Sequence, residues 1–317
     1  MRQWKIINDK LVDCGIETPR LGGLKSNTRS PFKELSKQTQ FTFPFSTTSH
    51  SLGDWGILSR LPECIEQIYP NAEFHIPSSA LIKQIFASLF NNGNWASFTE
   101  EPWLTNEIIL KNNPHIAGRY HPNQLEGECY TDHFRIYSSD IDKNEPLIEQ
   151  LLRAFGASED EIKELDTSPK LYISQEEEEW YQSFIKKYFG HEYGCLLLSS
   201  SIKELNRKWE FDHHLFPHTL KYRDYPVFYY SSFELHNTEW LKLFKNYISF
   251  SDLKLTIREQ MIVKQKAIFN IGYQAGITDA ISGGGSDVTT LCPYKEPTHN
   301  TIRGVKYVFR DGSIRIF

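Results

Sequence analysis

Residues 41–77, "FTFPFSTTSHSLGDWGILSRLPECIEQIYPNAEFHIP", decide the fold. They open with "FTFPF" (41–45), a short apolar run typical of a buried strand, and continue with "WGILSRLPECIEQIYP" (55–70), whose spacing predicts a helix that ends at its last proline. "AEFHIP" (72–77) predicts a second strand, and "SALIKQIFASLF" (79–90) predicts a second helix. This alternation predicts βαβ units and a parallel sheet.

The alternation continues in two blocks. In the first block, "EIILK" (107–111) and "HIAGRYH" (115–121) fit further strands, and "NEPLIEQLLRAFG" (144–156) has helical periodicity. The second block repeats the pattern in short apolar and amphipathic segments, at 194–201, 225–232, 238–247, 256–266, 267–272 and 286–293. The chain therefore predicts two α/β regions.

A helix with four consecutive glutamates separates the blocks, in "DTSPKLYISQEEEEWYQSFIKKYFG" (166–190). Ser174 is predicted to cap it, and negative charge at a helix N-terminus is favourable by a few tenths of a kcal/mol per residue. The acidic run is thus interpreted as structural and not as a metal site. We predict an N-terminal Rossmann-like domain over residues 39–175 and a C-terminal one over residues 190–317, with a cleft between them.

Composition limits the class of protein. The chain has 317 residues, 39% hydrophobic and 24% charged, which is typical of a globular protein. The mean hydropathy is −0.48, and no apolar run approaches the roughly 18 residues that a membrane span needs. The N-terminus also lacks the continuous apolar segment of a secretory signal. These features predict a cytoplasmic location.

The cysteines and the charge exclude further classes. The five cysteines are widely spaced and contain no CxxC pair, so buried thiols are predicted and not a disulfide framework or a zinc site. The net charge of −5 disfavours a protein whose whole surface binds nucleic acid. Residues 1–38 carry eight Lys and Arg against four Asp and Glu, and they are interpreted as an N-terminal extension, either a basic arm or a tail packed on the surface.

The first candidate site is the pair Gly53 and Asp54, between the first predicted strand and the helix after it. Gly53 permits a tight turn or a close approach of the backbone. Asp54 falls at or just before a helix N-terminus, where a carboxylate can cap free N–H groups. Alternatively, it projects into the cleft as a general base for an attacking hydroxyl.

The second candidate site is "FNIGYQAGITDAISGGGSDVTTLCPY" (269–294). A strand that ends at Ile271 meets a turn with Gly272 and Gly276, and a following helix N-terminus would bind an anion such as a diphosphate. The dinucleotide fingerprint GxGxxG and the Walker loop GxxxxGK[ST] are both absent from it. The alternative is an ordinary strand-to-helix turn followed by a flexible loop.

The third candidate site is "LLLSSSIKELNRKWEFDHHLFPH" (196–218). Its serines follow a predicted strand, and Arg207 and Lys208 place positive charge where a diphosphate would lie. The region also contains four potential metal ligands: Asp212, His213, His214 and His218. A metal site is disfavoured, because adjacent histidines point to different faces and the HExxH pattern is absent.

Two of these segments resemble family 9 glycosyltransferases, the heptosyltransferase-like group of the GT-B fold. "SLGDWGILSRLPECIEQIYPNAEFHI" is similar to the family's first loop, helix and second strand, with matches at Gly53, Asp54, Leu61, Pro62, Tyr69, Pro70 and Ala72. "IREQMIVKQKAIFNIGYQAGITDAI" resembles a segment of the family's C-terminal domain, with matches at Gly272, Gly276 and Ala280. Here Gln274-Ala275-Gly276 replaces the family's Asp-Ser-Gly, and Asp279 replaces its His.

The resemblance implies a GT-B fold, with two Rossmann-like parallel-sheet domains facing a central cleft. It further implies a metal-independent glycosyltransferase without a cofactor, which transfers a sugar from a nucleotide-diphosphate sugar to a hydroxyl of a saccharide or lipid-linked glycan. Asp54 would be the general base. The donor-binding residues would be Ser200, Lys208, Glu234, Gln274, Ala275, Gly276, Thr278 and Asp279. The acceptor-binding residues would be Gly53, Trp55, Arg119 and His121.

Two alternatives remain open at the level of sequence. One is a DNA glycosyltransferase of the phage type, which acts on a hydroxylated base; the basic N-terminal segment and the many aromatic residues favour it, and the acidic isoelectric point opposes it. The other is a non-catalytic protein that binds nucleotides or sugars through the same fold.

Overall fold

The structure is a computed structural model that describes residues 2–7, 10–13, 41–47, 52–78, 105–120, 132–136, 142–199, 216–231, 239–273, 287–292, 297 and 301–317. The chain divides into two compact units, Met1–Thr167 and Ser168–Phe317. The helix with four glutamates therefore belongs to the second unit. Among the described helices, none is long and apolar enough to cross a membrane.

The first unit contains a parallel sheet with one antiparallel edge. Its strands are β1 (Arg2–Ile7), β2 (Lys10–Asp13), β3 (Phe41–Thr47), β4 (Ala72–Pro77), β5 (Gly118–Tyr120) and β6 (Asp132–Ile136). They lie in the order β2-β1-β6-β3-β4-β5, and only the β1–β2 pair is antiparallel. The strands predicted at 41–45 and 72–77 are thereby confirmed.

The N-terminal segment differs from the predicted extension. Residues 2–7 and 10–13 form two strands of the sheet, paired with Ile6 opposite Leu11 and Ile7 opposite Lys10. Apolar residues on both sides of Asn8 and Asp9 are the signature of a hairpin, which the charge of the segment had obscured. Residues 14–38 lie outside the described part of the chain.

The described helices of the first unit are α1 (Leu52–Ile57), a 3₁₀ turn (Leu58–Arg60), α2 (Leu61–Ile68), α3 (Thr105–Leu110), α4 (Leu147–Ala154) and α5 (Glu159–Glu164). The single helix predicted over 55–70 is thus two helices joined by a 3₁₀ turn. Pro62 explains the break, because its missing N–H cannot donate to the carbonyl of Leu58. Ser59 instead donates its hydroxyl to the carbonyl of Gly56 at 2.6 Å.

The strand expected at "EIILK" (107–111) was wrong, because residues 107–110 belong to α3 and Lys111 follows it. Ile109 and Leu110 are buried, and α3 packs against α1. A short apolar run cannot be assigned to helix or strand by its periodicity alone, and tertiary packing decided this case.

The second unit also contains a parallel sheet with one antiparallel edge. Its strands are β7 (Gly194–Ser199), β8 (Val227–Ser231), β9 (Tyr247–Ser249), β10 (Phe269–Tyr273), β11 (Asp287–Cys292), β12 (Lys306–Phe309) and β13 (Ile314–Ile316). They lie in the order β13-β12-β11-β10-β7-β8-β9, and only the β12–β13 pair is antiparallel. The run from β9 to β12 has the strand order 3-2-1-4-5-6 of a Rossmann sheet.

The described helices of the second unit are α6 (Gln175–Tyr188), α7 (Phe216–Thr219), α8 (Phe250–Leu253) and α9 (Ile257–Gln265), with 3₁₀ turns at Leu220–Tyr222 and Glu239–Leu243. The predicted cap of α6 is confirmed: Ser174 accepts a hydrogen bond from the backbone N–H of Glu177, whose side chain accepts one from the N–H of Ser174. Arg258 of α9 donates two hydrogen bonds of 3.0 Å to the same carboxylate. The acidic run is therefore structural.

Close backbone packing fixes the centre of the second sheet. Every residue of β10 is buried. A Cβ atom on Gly272 would lie 2.5 Å from the carbonyl oxygen of Leu197 in β7, and one on Gly194 would lie 1.9 Å from the ring of Phe269. Both positions require glycine for reasons of packing alone.

The predicted buried thiols are confirmed for three cysteines. Cys64, Cys195 and Cys292 are free and buried. Burial raises the pKa of Cys195 to about 12, although the charge of Lys264 opposes the shift. Cys14 and Cys129 lie outside the described residues.

Candidate functional site at the switch points of the two sheets

Each sheet has a point where the order of its strands reverses. In the first unit, the chain runs from β3 outward to β4 and β5, and β6 then pairs with β3 on its other side. In the second unit, the chain runs from β7 to β8 and β9, and β10 then pairs with β7 on its other side. Ligands of open parallel sheets bind outside the carboxyl ends of the strands at such a switch point.

The predicted base follows the switch-point strand of the first sheet. β3 ends at Thr47, and α1 begins at Leu52, so Asp54 is the third residue of that helix. Asp54 thus lies in the first turn and not at the N-cap that one interpretation required. Of Gly53 and Asp54 the structure describes the backbone only. A carboxylate in the first turn is stabilised by the positive end of the helix dipole.

Trp55, predicted to bind the acceptor, lies next to Asp54 in α1. Only 1% of its surface is exposed, so it packs in the interior of the first unit. Its indole Nε1 has no hydrogen-bond partner among the described residues. The burial indicates a packing role for this ring.

The predicted donor segments begin at neighbouring strand ends of the second sheet. β7 ends at Ser199 and β10 ends at Tyr273, and the two strands pair in parallel with Gly272 opposite Leu197. β8 lies on the other side of β7 and ends at Ser231. The segments that leave these three ends contain the donor residues predicted from the sequence: Ser200, Lys208, Glu234, Gln274, Ala275, Gly276, Thr278 and Asp279. These eight residues lie outside the described part of the chain.

One detail of this prediction was wrong. Gly272 was placed in a turn after a strand that ended at Ile271, but the strand continues to Tyr273 and Gly272 lies inside it. The glycine is explained by its approach to Leu197. The turn, and any anion site in it, therefore begins after Tyr273.

Arg119, a predicted acceptor residue, lines a cavity of about 550 Å³ in the first unit. The side chain is exposed on the edge strand β5, where Arg119 pairs with Ile76 of β4. The other lining residues are Leu110, Lys111, Asn112, Asn113, Ile116 and Gly118. His121, the fourth predicted acceptor residue, lies outside the described residues.

The sequence analysis did not single out Lys111, Asn112 or Asn113, although they line this cavity with Arg119. Asn113 fixes the loop after α3, because its side chain donates to the carbonyl of Ser59 at 3.0 Å and accepts from the N–H of His115 at 3.0 Å. The signal available in the sequence was "KNNP", a cluster of turn residues after an apolar run.

We call the side of the second sheet where its parallel strands begin the amino-end edge; it lies opposite the strand ends described above. It carries a polar cluster formed by His218, Lys221, Tyr222, Asp287 and Lys306. Lys221 Nζ lies 2.5 Å from Asp287 Oδ2, and the hydroxyl of Tyr222 donates to the same oxygen. Burial acts to raise the pKa of Asp287, but the hydrogen bonds from Lys221 and Tyr222 outweigh it and hold the pKa below its ordinary value.

His218 of this cluster was one of the four potential metal ligands. Its Nδ1 lies 3.2 Å from Nζ of Lys306. Burial lowers the pKa of His218, and the charges of Lys306 and Lys221 lower it further. Within the described ranges there is no group of three or more His, Cys, Asp and Glu residues arranged to hold a metal ion. Asp212, His213 and His214 lie outside those ranges.

The structure is similar to solved glycosyltransferases. An ADP-heptose lipopolysaccharide heptosyltransferase II from E. coli aligns with a TM-score of 0.50 and 10% identity, over 86% of this chain and 93% of that chain. A family 9 glycosyl transferase from Veillonella parvula aligns with a TM-score of 0.46 and 9% identity, over 82% of each chain. No protein-family profile and no curated protein matches the sequence.

At 10% identity the first of these likenesses establishes the fold. The fold class predicted from the sequence, α/β of the GT-B type with two Rossmann-like parallel sheets, is confirmed. The roles of the individual site residues, the absence of a cofactor and the cytoplasmic location stay predictions.

Proposed function

We propose that this chain is a glycosyltransferase that moves a sugar from a nucleotide-diphosphate sugar to a hydroxyl of a saccharide or lipid-linked glycan. One observation carries the proposal. The segment with Asp54 follows the switch-point strand of one Rossmann-like sheet, and the segments predicted to bind the diphosphate leave the two switch-point strands of the other. The heptosyltransferase with which the chain shares its fold supports the reaction class.

In this reaction Asp54 accepts the proton of the acceptor hydroxyl while the oxygen attacks the anomeric carbon of the donor sugar. The bond between that carbon and the diphosphate oxygen breaks, and the nucleoside diphosphate leaves with the electron pair. Lys208 and backbone N–H groups of residues 275–279 stabilise the charge that develops on the diphosphate. Fixed cations and N–H groups can carry this charge, so the proposed reaction uses no metal.

The acceptor is proposed to reach Asp54 from the first unit, where Arg119 and the cavity beside β5 supply polar contacts. Glu234, which follows β8, is proposed to accept hydrogen bonds from the ribose of the donor. Trp55, the next residue of the same helix, is buried and anchors the helix in the interior of the first unit.

The reaction is tested with a panel of nucleotide sugars and model acceptors, with products read by mass spectrometry. Stabilisation of the folded protein by the donor should grow with its concentration. Transfer to saccharide acceptors is expected. Transfer only to hydroxymethylated DNA, lost steeply with added salt, would instead identify the acceptor as a nucleic acid. Donor binding without transfer to any acceptor would indicate a non-catalytic protein that binds nucleotides or sugars.

Asp54→Asn is the sharpest variant, because it keeps the size of the side chain and removes its basicity. We expect turnover to fall by about 10²- to 10⁴-fold, with donor-induced stabilisation retained. Asp160→Asn is the control, because its side chain is 97% exposed on α5. Unchanged turnover in Asp54→Asn would show that this residue is not the general base.

A further inference from the structure

We draw no further inference here: the strongest candidate, the cavity of about 550 Å³ beside β5 that Lys111, Asn112 and Arg119 line, belongs to the acceptor site already proposed, and nothing in the structure shows which group of a ligand would fill it.

Discussion

In the second sheet, the edge formed by the amino ends of the strands differs from the edge formed by their carboxyl ends in the contacts that each makes. At the amino-end edge, Lys221, Tyr222 and Asp287 join the turn before β8 to the start of β11 by direct contacts. At the carboxyl-end edge, β7 and β10 lead into segments that contain most of the predicted donor residues. The comparison separates an edge whose contacts join the strands from the edge to which we assign the proposed donor site.

Substitution of the two packed glycines tests this division with the largest expected effect. Gly272→Ala and Gly194→Ala should each lower the free energy of unfolding by about 3 kcal/mol, because a Cβ at either position overlaps neighbouring atoms. Urea denaturation measures the loss. Gly272→Ala should also weaken donor binding, since Gly272 lies one residue before the end of β10, whereas Gly194→Ala should leave donor affinity unchanged in the folded fraction.

Gly190→Ala is the control for these two variants. Gly190 has a φ of +70°, and a Cβ added there would meet no atom within 4 Å, so only backbone strain of about 1 kcal/mol is expected. A Gly272→Ala protein as stable as this control would contradict the packing argument.

Asp287→Asn tests the amino-end edge alone and should have a smaller effect. The carboxylate and its partner Lys221 are about half exposed, so the loss should be about 1 kcal/mol or less in the free energy of unfolding. The loss should shrink in high salt. Transfer activity should stay unchanged. A fall in activity without a fall in stability would contradict the prediction that the amino-end edge takes no part in transfer.

The pH dependence of stability provides a finer test at the same edge. Because the folded-state pKa of His218 is below its ordinary value, the neutral form is the one that the fold favours. Its contribution is present above the unfolded pKa of about 6.5 and is lost as the pH falls through the lower folded value. We expect His218→Gln to flatten the curve of unfolding free energy against pH in that window.

The smallest expected effect concerns Cys195, which should fail to react with a thiol reagent. Since burial raises the pKa of Cys195 to about 12, this thiol should not react with iodoacetamide in the folded protein at about pH 8. Peptide mapping by mass spectrometry reads the modification. Labelling of Cys195 before global unfolding would show that the start of β7 opens locally, and would contradict the burial of this thiol as its protection.

Local patterns predicted much of the framework. The strands β3, β4, β7, β8 and β10 and the helices α4 and α6 follow from apolar runs, caps and stop signals that act within a few residues. The prediction failed at 107–111, where a short apolar run fits either element, and at 2–13, where charge obscured a hairpin.

The order of the strands could not be predicted in the same way, because β6 pairs with β3 and β10 pairs with β7 across long stretches of chain. The location of Gly53 and Asp54 shortly after a strand was predictable, and their role in a site stays a prediction. Neither the burial of Trp55 nor the reason for Gly272 was predictable, since both depend on atoms that are distant in the sequence.

The contact between Gly272 and Leu197 has a consequence for protein engineering. No side chain fits at residue 272, so a library aimed at the proposed donor site should keep the buried strand 269–273 constant. Diversity belongs in the segments that start at residues 200 and 274, which contain most of the proposed donor residues. A library restricted to those two segments would vary recognition while it inherits the scaffold unchanged.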